Sequence, residues 1–297
     1  MHIQRHSIVT EILLTAISIS LCVLPAFAKT SSVFERIDDI PDFKQNNPLA
    51  GFAGGGEEFC ASTSLSDHLM WLGQNGYPKL LPECENGADV QISLIKKLAG
   101  KTYINTNAKV GTAPDEIMVG LQKYVTDCGY NVKTLNYQGF RPCADNFFSG
   151  MSRPRFSYLQ AGAVAPRSCW LNIGWYKWDE DTDVYTRIGG HWVALVGYGV
   201  DVKGAPNKKT IIVHDPEPYF GAAKTNVYIN LQKLDSGELR GNYKGLPQDA
   251  DGYYWYEDCT DGAKVRHLGN YYGIIDGAIM LELAPLEEAL KSDPVEK

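Results

Sequence analysis

Positive charge, histidine and long apolar runs are all in short supply in this chain. Lys and Arg number 28 against 35 Asp and Glu, a formal net charge of −7. An acidic chain argues against nucleic acid as a partner. No pair of cysteines has the CxxC spacing of a zinc site. Gly54-Gly55-Gly56 is not followed by the Lys-Ser/Thr of a phosphate loop, so the run reads as a flexible approach to a cleft. Beyond the N-terminus no stretch is apolar enough for long enough to cross a bilayer, and there is no internal repeat or low-complexity tract.

What is present begins with a processed segment. Residues 1–6 carry Arg5, residues 12–25 are largely apolar, and Ala26-Phe27-Ala28 has the small residues of a cleavage site. This predicts a secretory signal over 1–28, cut near Ala28, and a secreted or periplasmic location with no membrane attachment afterwards. Leu21 before Cys22 makes a lipoprotein anchor the weaker reading. Removal takes Arg5 and Glu11 together, so the net charge stays at −7. About 270 residues remain, and with 44% hydrophobic and 11% aromatic residues overall they can bury the core of one large or two-lobed domain. A charged tail is expected over 286–297.

Six cysteines follow the signal: Cys60, Cys84, Cys128, Cys143, Cys169 and Cys259. In an exported protein they allow three disulfides in any of 15 pairings. If Cys60 is a free thiol, at least one other must be unpaired. Cys128 and Cys143 flank a predicted strand and turn and are the first candidates for a bridge.

Cys60 ends Gly54-Gly55-Gly56-Glu57-Glu58-Phe59-Cys60 and opens a helical pattern with Leu65, Leu69 and Leu72 on one face. A thiol at a helix N-terminus meets unpaired N–H groups and the positive end of the dipole, which favour thiolate. About 130 residues later, Gly189-Gly190-His191-Trp192-Val193-Ala194-Leu195 reads as a buried strand entered through two glycines, with His191 at its mouth as a candidate base. Ile211-Ile212-Val213-His214-Asp215-Pro216 is a short strand stopped by proline, and Asp215 could orient the imidazole. His214 and Asp215 are strand neighbours, so only one of them can face the cleft.

These three segments, in the order Cys, His, Asp, resemble the motifs of papain-like cysteine peptidases, closest to the bacterial branch that trims double-glycine leader peptides. The resemblance spans roughly 40–285 and is carried by the three motifs. It implies an α+β, two-lobed papain-like fold within 29–285: a helical lobe over about 45–165 and an antiparallel β-rich lobe over about 166–285. It implies Cys60 as nucleophile, His191 as base, Asp215 as orienting acid, a peptide or protein substrate, and no metal or organic cofactor. The family has an oxyanion-stabilising glutamine about six residues before the cysteine, where Gly54 stands here. Gln45 resembles the lead-in to that glutamine, with the glycine run as an insertion, and is the candidate oxyanion donor beside the Cys60 backbone N–H. Glu57 and Glu58 disfavour a thiolate unless they face solvent or pair with a cation.

The wider pattern predicts helices from Cys60 to about 73–76 and over 89–98, 114–127 (Thr112 as cap candidate) and 155–161. Strands are expected over 131–137, 170–176, 184–187, 192–198, 210–213, 225–229, 253–256 and 278–283. His68, two turns from the thiol, reads as a satisfied histidine. Trp178-Asp179-Glu180-Asp181-Thr182-Asp183 has the alternating acids of a calcium loop but lacks its glycine and closing glutamate, so a solvated hairpin tip is expected. Trp170, Trp175, Tyr176 and Trp178 read as sheet core and edge. Two other outcomes stay open: a protein that kept the frame and lost the chemistry, or acyl transfer to an amine, as in amidases and transglutaminases.

Overall fold

A computed structural model of the chain describes residues 39–83, 87–107, 109–217, 226–241, 246–259 and 271–285. The predicted signal over 1–28, the tail over 286–297, Cys84, Thr225 and His267 lie outside them. The described helices are α1 (Cys60–Gln74), α2 (Gly87–Ala99), α3 (Pro114–Asp127) and α4 (Phe156–Gly162). The strands are β1 (Val132–Gly139), β2 (Ser168–Asp179), β3 (Val184–Val200), β4 (Pro206–His214), β5 (Val227–Lys233), β6 (Glu238–Arg240), β7 (Gln248–Asp249), β8 (Tyr254–Cys259) and β9 (Tyr271–Leu283).

These elements do not form two lobes. Following the pairings from β2 to β3, β4, β5, β8 and β9 leads back to β2, so six antiparallel strands close a barrel. β1, expected as a strand within the helical lobe, instead extends the same sheet by pairing with β9 from Val132↔Leu283 to Gly139↔Gly277. The papain-like two-lobed arrangement is thereby overturned. The cause lies in the strands themselves, which are apolar on both faces. Trp170, Trp192 and Ala194 enter one core with Leu65, Leu69 and Leu121 of the helices. Their strand neighbours Leu171, Val193 and Leu195 enter a second core to which all six ring strands contribute. A two-faced apolar sheet must be covered twice, and here helices cover one face while closure of the sheet covers the other. Each fully buried aliphatic side chain in such a core contributes roughly 1.5–3 kcal/mol.

Two local expectations are also corrected. Residues 184–187 and 192–198 belong to one strand, because β2 offers a continuous partner across the glycines, Trp175↔Gly189 and Gly174↔Gly190. His191 is therefore inside β3 rather than at its mouth. The N-cap of α3 is Ala113, whose N–H donates to the Glu116 carboxylate at 2.8 Å. Thr112 instead pairs its hydroxyl with Thr106 at 3.0 Å and gives its carbonyl to the Trp192 indole N–H at 3.1 Å. No helix among the described residues is long and apolar enough to cross a membrane.

Candidate active site

Cys60 is the first residue of α1, after Phe59, which provides no side-chain cap. Its thiol is buried at 7% exposure. α1 is polar as well as apolar on its buried surface, and two of those polar groups, Ser64 and His68, fasten it to the sheet. Ser64 Oγ donates to the Trp192 carbonyl at 2.9 Å, and His68 Nε2 bonds the Leu195 carbonyl at 3.1 Å. The Trp170 indole donates in return to the Ser64 carbonyl at 2.8 Å. Ser64 lies one turn beyond Cys60 and Trp192 directly follows His191, so these bonds set the nucleophile's helix against the base's strand. His68 is thus a core histidine.

His191 Nε2 donates to Asp215 Oδ1 at 2.7 Å, with both side chains largely buried. The Cys60 side chain hydrogen-bonds the same ring. With Nε2 taken by the carboxylate, Nδ1 is the nitrogen left for the thiol. Burial pushes the imidazole pKa down, but the Asp215 charge and hydrogen bond, followed by Cys60, carry it well above 6.5. His214 points the other way, bonding the Pro41 carbonyl through Nδ1 at 3.0 Å and Asn226 Oδ1 through Nε2 at 2.9 Å. Asp215 is the member of that strand-end pair that reaches His191.

A strap before the glycine run holds the Asp215 turn in place. Lys44 Nζ donates to the Asp215 carbonyl at 2.9 Å and pairs with Asp42 at 2.7 Å, while the Gln45 N–H donates to the Pro216 carbonyl at 2.8 Å. The Glu217 N–H closes the turn on Asp215 Oδ1 at 2.9 Å. Behind the strap, Asp67 of α1 accepts from the Phe43 N–H at 3.2 Å and Gln91 Nε2 at 2.7 Å. Burial first, then the Asp42 charge, pushes the Asp67 carboxyl well above its usual range.

Gln45 itself is buried at 2% exposure, and its Nε2 donates to the Glu57 carbonyl at 2.8 Å. It thus reaches the backbone three residues before Cys60 despite the long sequence gap. The glycine run makes this possible as a defined left-handed turn, with φ of 62°, 69° and 85° at Gly54, Gly55 and Gly56. At Gly56 a Cβ would come within 1.7 Å of the Gln45 carbonyl, so a side chain there would force the strap away. Glu57 is exposed, whereas Glu58 is half-buried and its carboxyl is pushed up, chiefly by burial and then by Glu57 and Glu217.

Cys60 opens into a cavity of about 490 Å³ whose lining includes Glu58, Thr112, Arg141, Asn172, Arg187 and Trp192. Asn172 Nδ2 donates to the His191 carbonyl at 3.3 Å. No spacing along the chain singles out Arg141, Asn172 or Arg187. The one available signal was Asp276, a carboxylate inside the apolar run of β9, which pairs with Arg187 at 2.7 Å. Along Arg187–Val193 the edge of β3 away from β2 meets no strand among the described residues, since β6 stops at Thr186 and β4 starts at Ala194.

Cys60, Cys128, Cys143 and Cys169 all carry free thiols, so the expected Cys128–Cys143 bridge is absent. Burial pushes the Cys143 thiol up to about 11, with Asp115 and Asp145 adding to it. At the β2–β3 hairpin, Asp179 accepts from the Asp181 N–H at 3.1 Å and Asp183 accepts from the Trp178 indole at 3.0 Å. Among the described residues no three His, Cys, Asp or Glu side chains are grouped to hold a metal ion. A scan of protein-family models and a search of curated protein sequences found no match for this chain.

Proposed function

We propose that the chain is an exported cysteine peptidase whose motifs share their chemistry with the double-glycine-leader peptidases while standing on a different frame. The observation that carries this reading is the hydrogen-bonded series Cys60, His191, Asp215, whose first member lines a cavity. His191 Nδ1 takes the thiol proton as sulfur attacks the scissile carbonyl carbon. Asp215 holds Nε2–H and with it the ring's orientation. The oxyanion is bound by the Cys60 backbone N–H and by Gln45 Nε2, which has a second N–H besides the one given to Glu57. His191 then protonates the leaving amine, and the C–N bond breaks to leave a thioester. Water, giving its proton to His191, releases the acid and restores the thiol. The stretch of β3 from Arg187 to Gly190, which among the described residues meets no strand other than β2, suits an extended peptide, whose backbone can pair there. The segment over 1–28 is the export signal in this reading, leading to the periplasm or the exterior.

The same thioester could pass its acyl group to an amine rather than to water. A non-catalytic role is favoured by one observation only, the Glu58 carboxyl lining the cavity beside the thiol. The test is incubation of the protein lacking residues 1–28 with a pool of unfolded polypeptides, with new termini read by mass spectrometry. New carboxyl termini with wild type and none with Cys60→Ala support hydrolysis. Isopeptide or amine adducts point to transfer, and no Cys60-dependent product refutes both.

A further inference from the structure

Two guanidinium groups lie in the cavity that holds Cys60, and the chemistry so far uses neither. Arg187 is 4% exposed, donates through Nε to Asp276 at 2.7 Å and through Nη2 to Asn172 Oδ1 at 3.2 Å. Arg141 donates through Nη1 to the same Asn172 oxygen at 3.1 Å. Two like charges thus converge on one amide oxygen, an arrangement that burial and the Arg187 charge both oppose, pulling the Arg141 pKa down. The room for it is built in. A Cβ at Gly190 would come within 2.0 Å of Arg187 Nη2, and one at Gly174 within 2.3 Å of Asp276 Oδ2. Tyr176 donates to that same Asp276 oxygen at 2.9 Å and helps fix the carboxylate that holds Arg187.

The other side of Asn172 ties the guanidinium pair to the candidate chemistry, because its Nδ2 donates to the His191 carbonyl. Two of the three acids lining the cavity are bonded or exposed, and Glu58 remains within it. Glu116 caps α3, Asp115 is exposed, and Glu58 lies over Gly111, where a Cβ would sit 3.1 Å from its Oε2. The cavity rim adds two exposed apolar side chains, Val110 at 62% and Ile188 at 53%. A planar fork of N–H donors is the side chain best matched to a carboxylate, and two of them within reach of one site make it selective.

We propose that this cavity is a carboxylate-reading subsite, in which Arg141 and Arg187 bind an acidic group of the peptide whose scissile carbonyl lies at Cys60. The idea rests on the reading of Cys60 as nucleophile for its link to cleavage, but its binding test does not. The carboxylate comes either from a Glu or Asp side chain or from a chain terminus. Calorimetric titration of the Cys60→Ala protein separates these with three sets of alanine-based pentapeptides: amide-capped with Glu at successive positions, amide-capped with Gln at those positions, and the Gln set with a free terminal carboxylate. Binding of one carboxylate set about tenfold tighter than the neutral set is expected, the effect of a charge-assisted pair at a half-buried site. The Glu set winning identifies a side chain, and the free-terminus set a chain end. Arg141→Gln should erase the preference and Arg141→Lys should keep part of it, which separates charge from misfolding. Equal binding of all three sets, no binding, or a preference that survives Arg141→Gln overturns the subsite. Alkylation of Cys60 in the wild-type protein is read in parallel. A reactive thiol without carboxylate preference sinks the subsite alone, and an inert thiol with the preference sinks the peptidase reading alone.

Discussion

α1 and α3 are nearly equal in length, at 15 and 14 residues, and contribute to the same core, yet they are held there by different physics. α3 buries a face made of Pro114, Ile117, Met118, Gly120, Leu121, Tyr124 and Val125 and turns Asp115, Val119, Gln122 and Lys123 to solvent. Such a face is placed chiefly by area removed from water, with a single buried side-chain bond from the Tyr124 hydroxyl to the Leu80 carbonyl at 2.5 Å. α1 also buries Ser62, Thr63, Ser64, Ser66, Asp67 and His68. Buried polar groups are costly unless hydrogen-bonded, and hydrogen bonds are directional. The lesson is that one helix supplies stability while the other supplies position, and position is what a thiol needs against an imidazole on another element.

The comparison can be broken most severely at the thiol. Cys60→Ala should lower peptide cleavage by about 10³-fold or more while shifting the urea midpoint little. Leu121→Ala should do the reverse, lowering unfolding stability by about 2–5 kcal/mol with Cys60 alkylation in the folded protein preserved. Equilibrium urea unfolding beside initial rates reads both.

Asp215→Asn comes next, with about 10²-fold or more lost in cleavage and the His191 pKa brought down toward 6.5, followed by NMR of the ring nitrogens. The sign of the linked stability follows from the raised pKa. The folded state favours the imidazolium, so the Asp215 pairing adds its full stability below about 6.5 and loses it as pH rises through the higher folded value. The stability gap between wild type and Asp215→Asn should therefore close with rising pH. A gap that widens would contradict the pairing.

Ser64→Ala strips the Trp192 carbonyl of its side-chain donor and should cost about 1–2 kcal/mol, with slower Cys60 alkylation at matched folded fraction. The smallest effect is expected at Glu116→Ala, about 0.5–1 kcal/mol from the lost bond to the Ala113 N–H, with alkylation unaffected. If the Ser64 and Glu116 variants alkylate alike, the distinction between a positioning helix and a packing helix fails.

How much of this was legible follows the same division. α3 was readable to its ends, 114–127, because amphipathic period and the proline at its first turn are local signals. The start of α1 and the part of β3 that follows His191 were readable for similar reasons. Closure of the barrel was not, since it depends on β9 pairing with β2, more than 100 residues earlier for most of those pairs, and no local pattern encodes such a partner. The path of β3 through Gly189-Gly190 required knowing its neighbour. At the site, the order Cys60, His191, Asp215 was visible, and the choice between His214 and Asp215 was left open by strand alternation until the Pro41 and Asn226 contacts of His214 resolved it. The Arg187–Asp276 pair, 89 residues apart, left only an acid in an apolar run as its trace.

The most direct test of the central claim is the site of attack by an epoxysuccinyl probe on the protein lacking residues 1–28, read by peptide mapping in wild type and His191→Ala. The account predicts a single early adduct on Cys60 that forms at least about tenfold more slowly without His191. An adduct that appears first on Cys128, Cys143 or Cys169, or one on Cys60 that forms as fast without the imidazole, would contradict it.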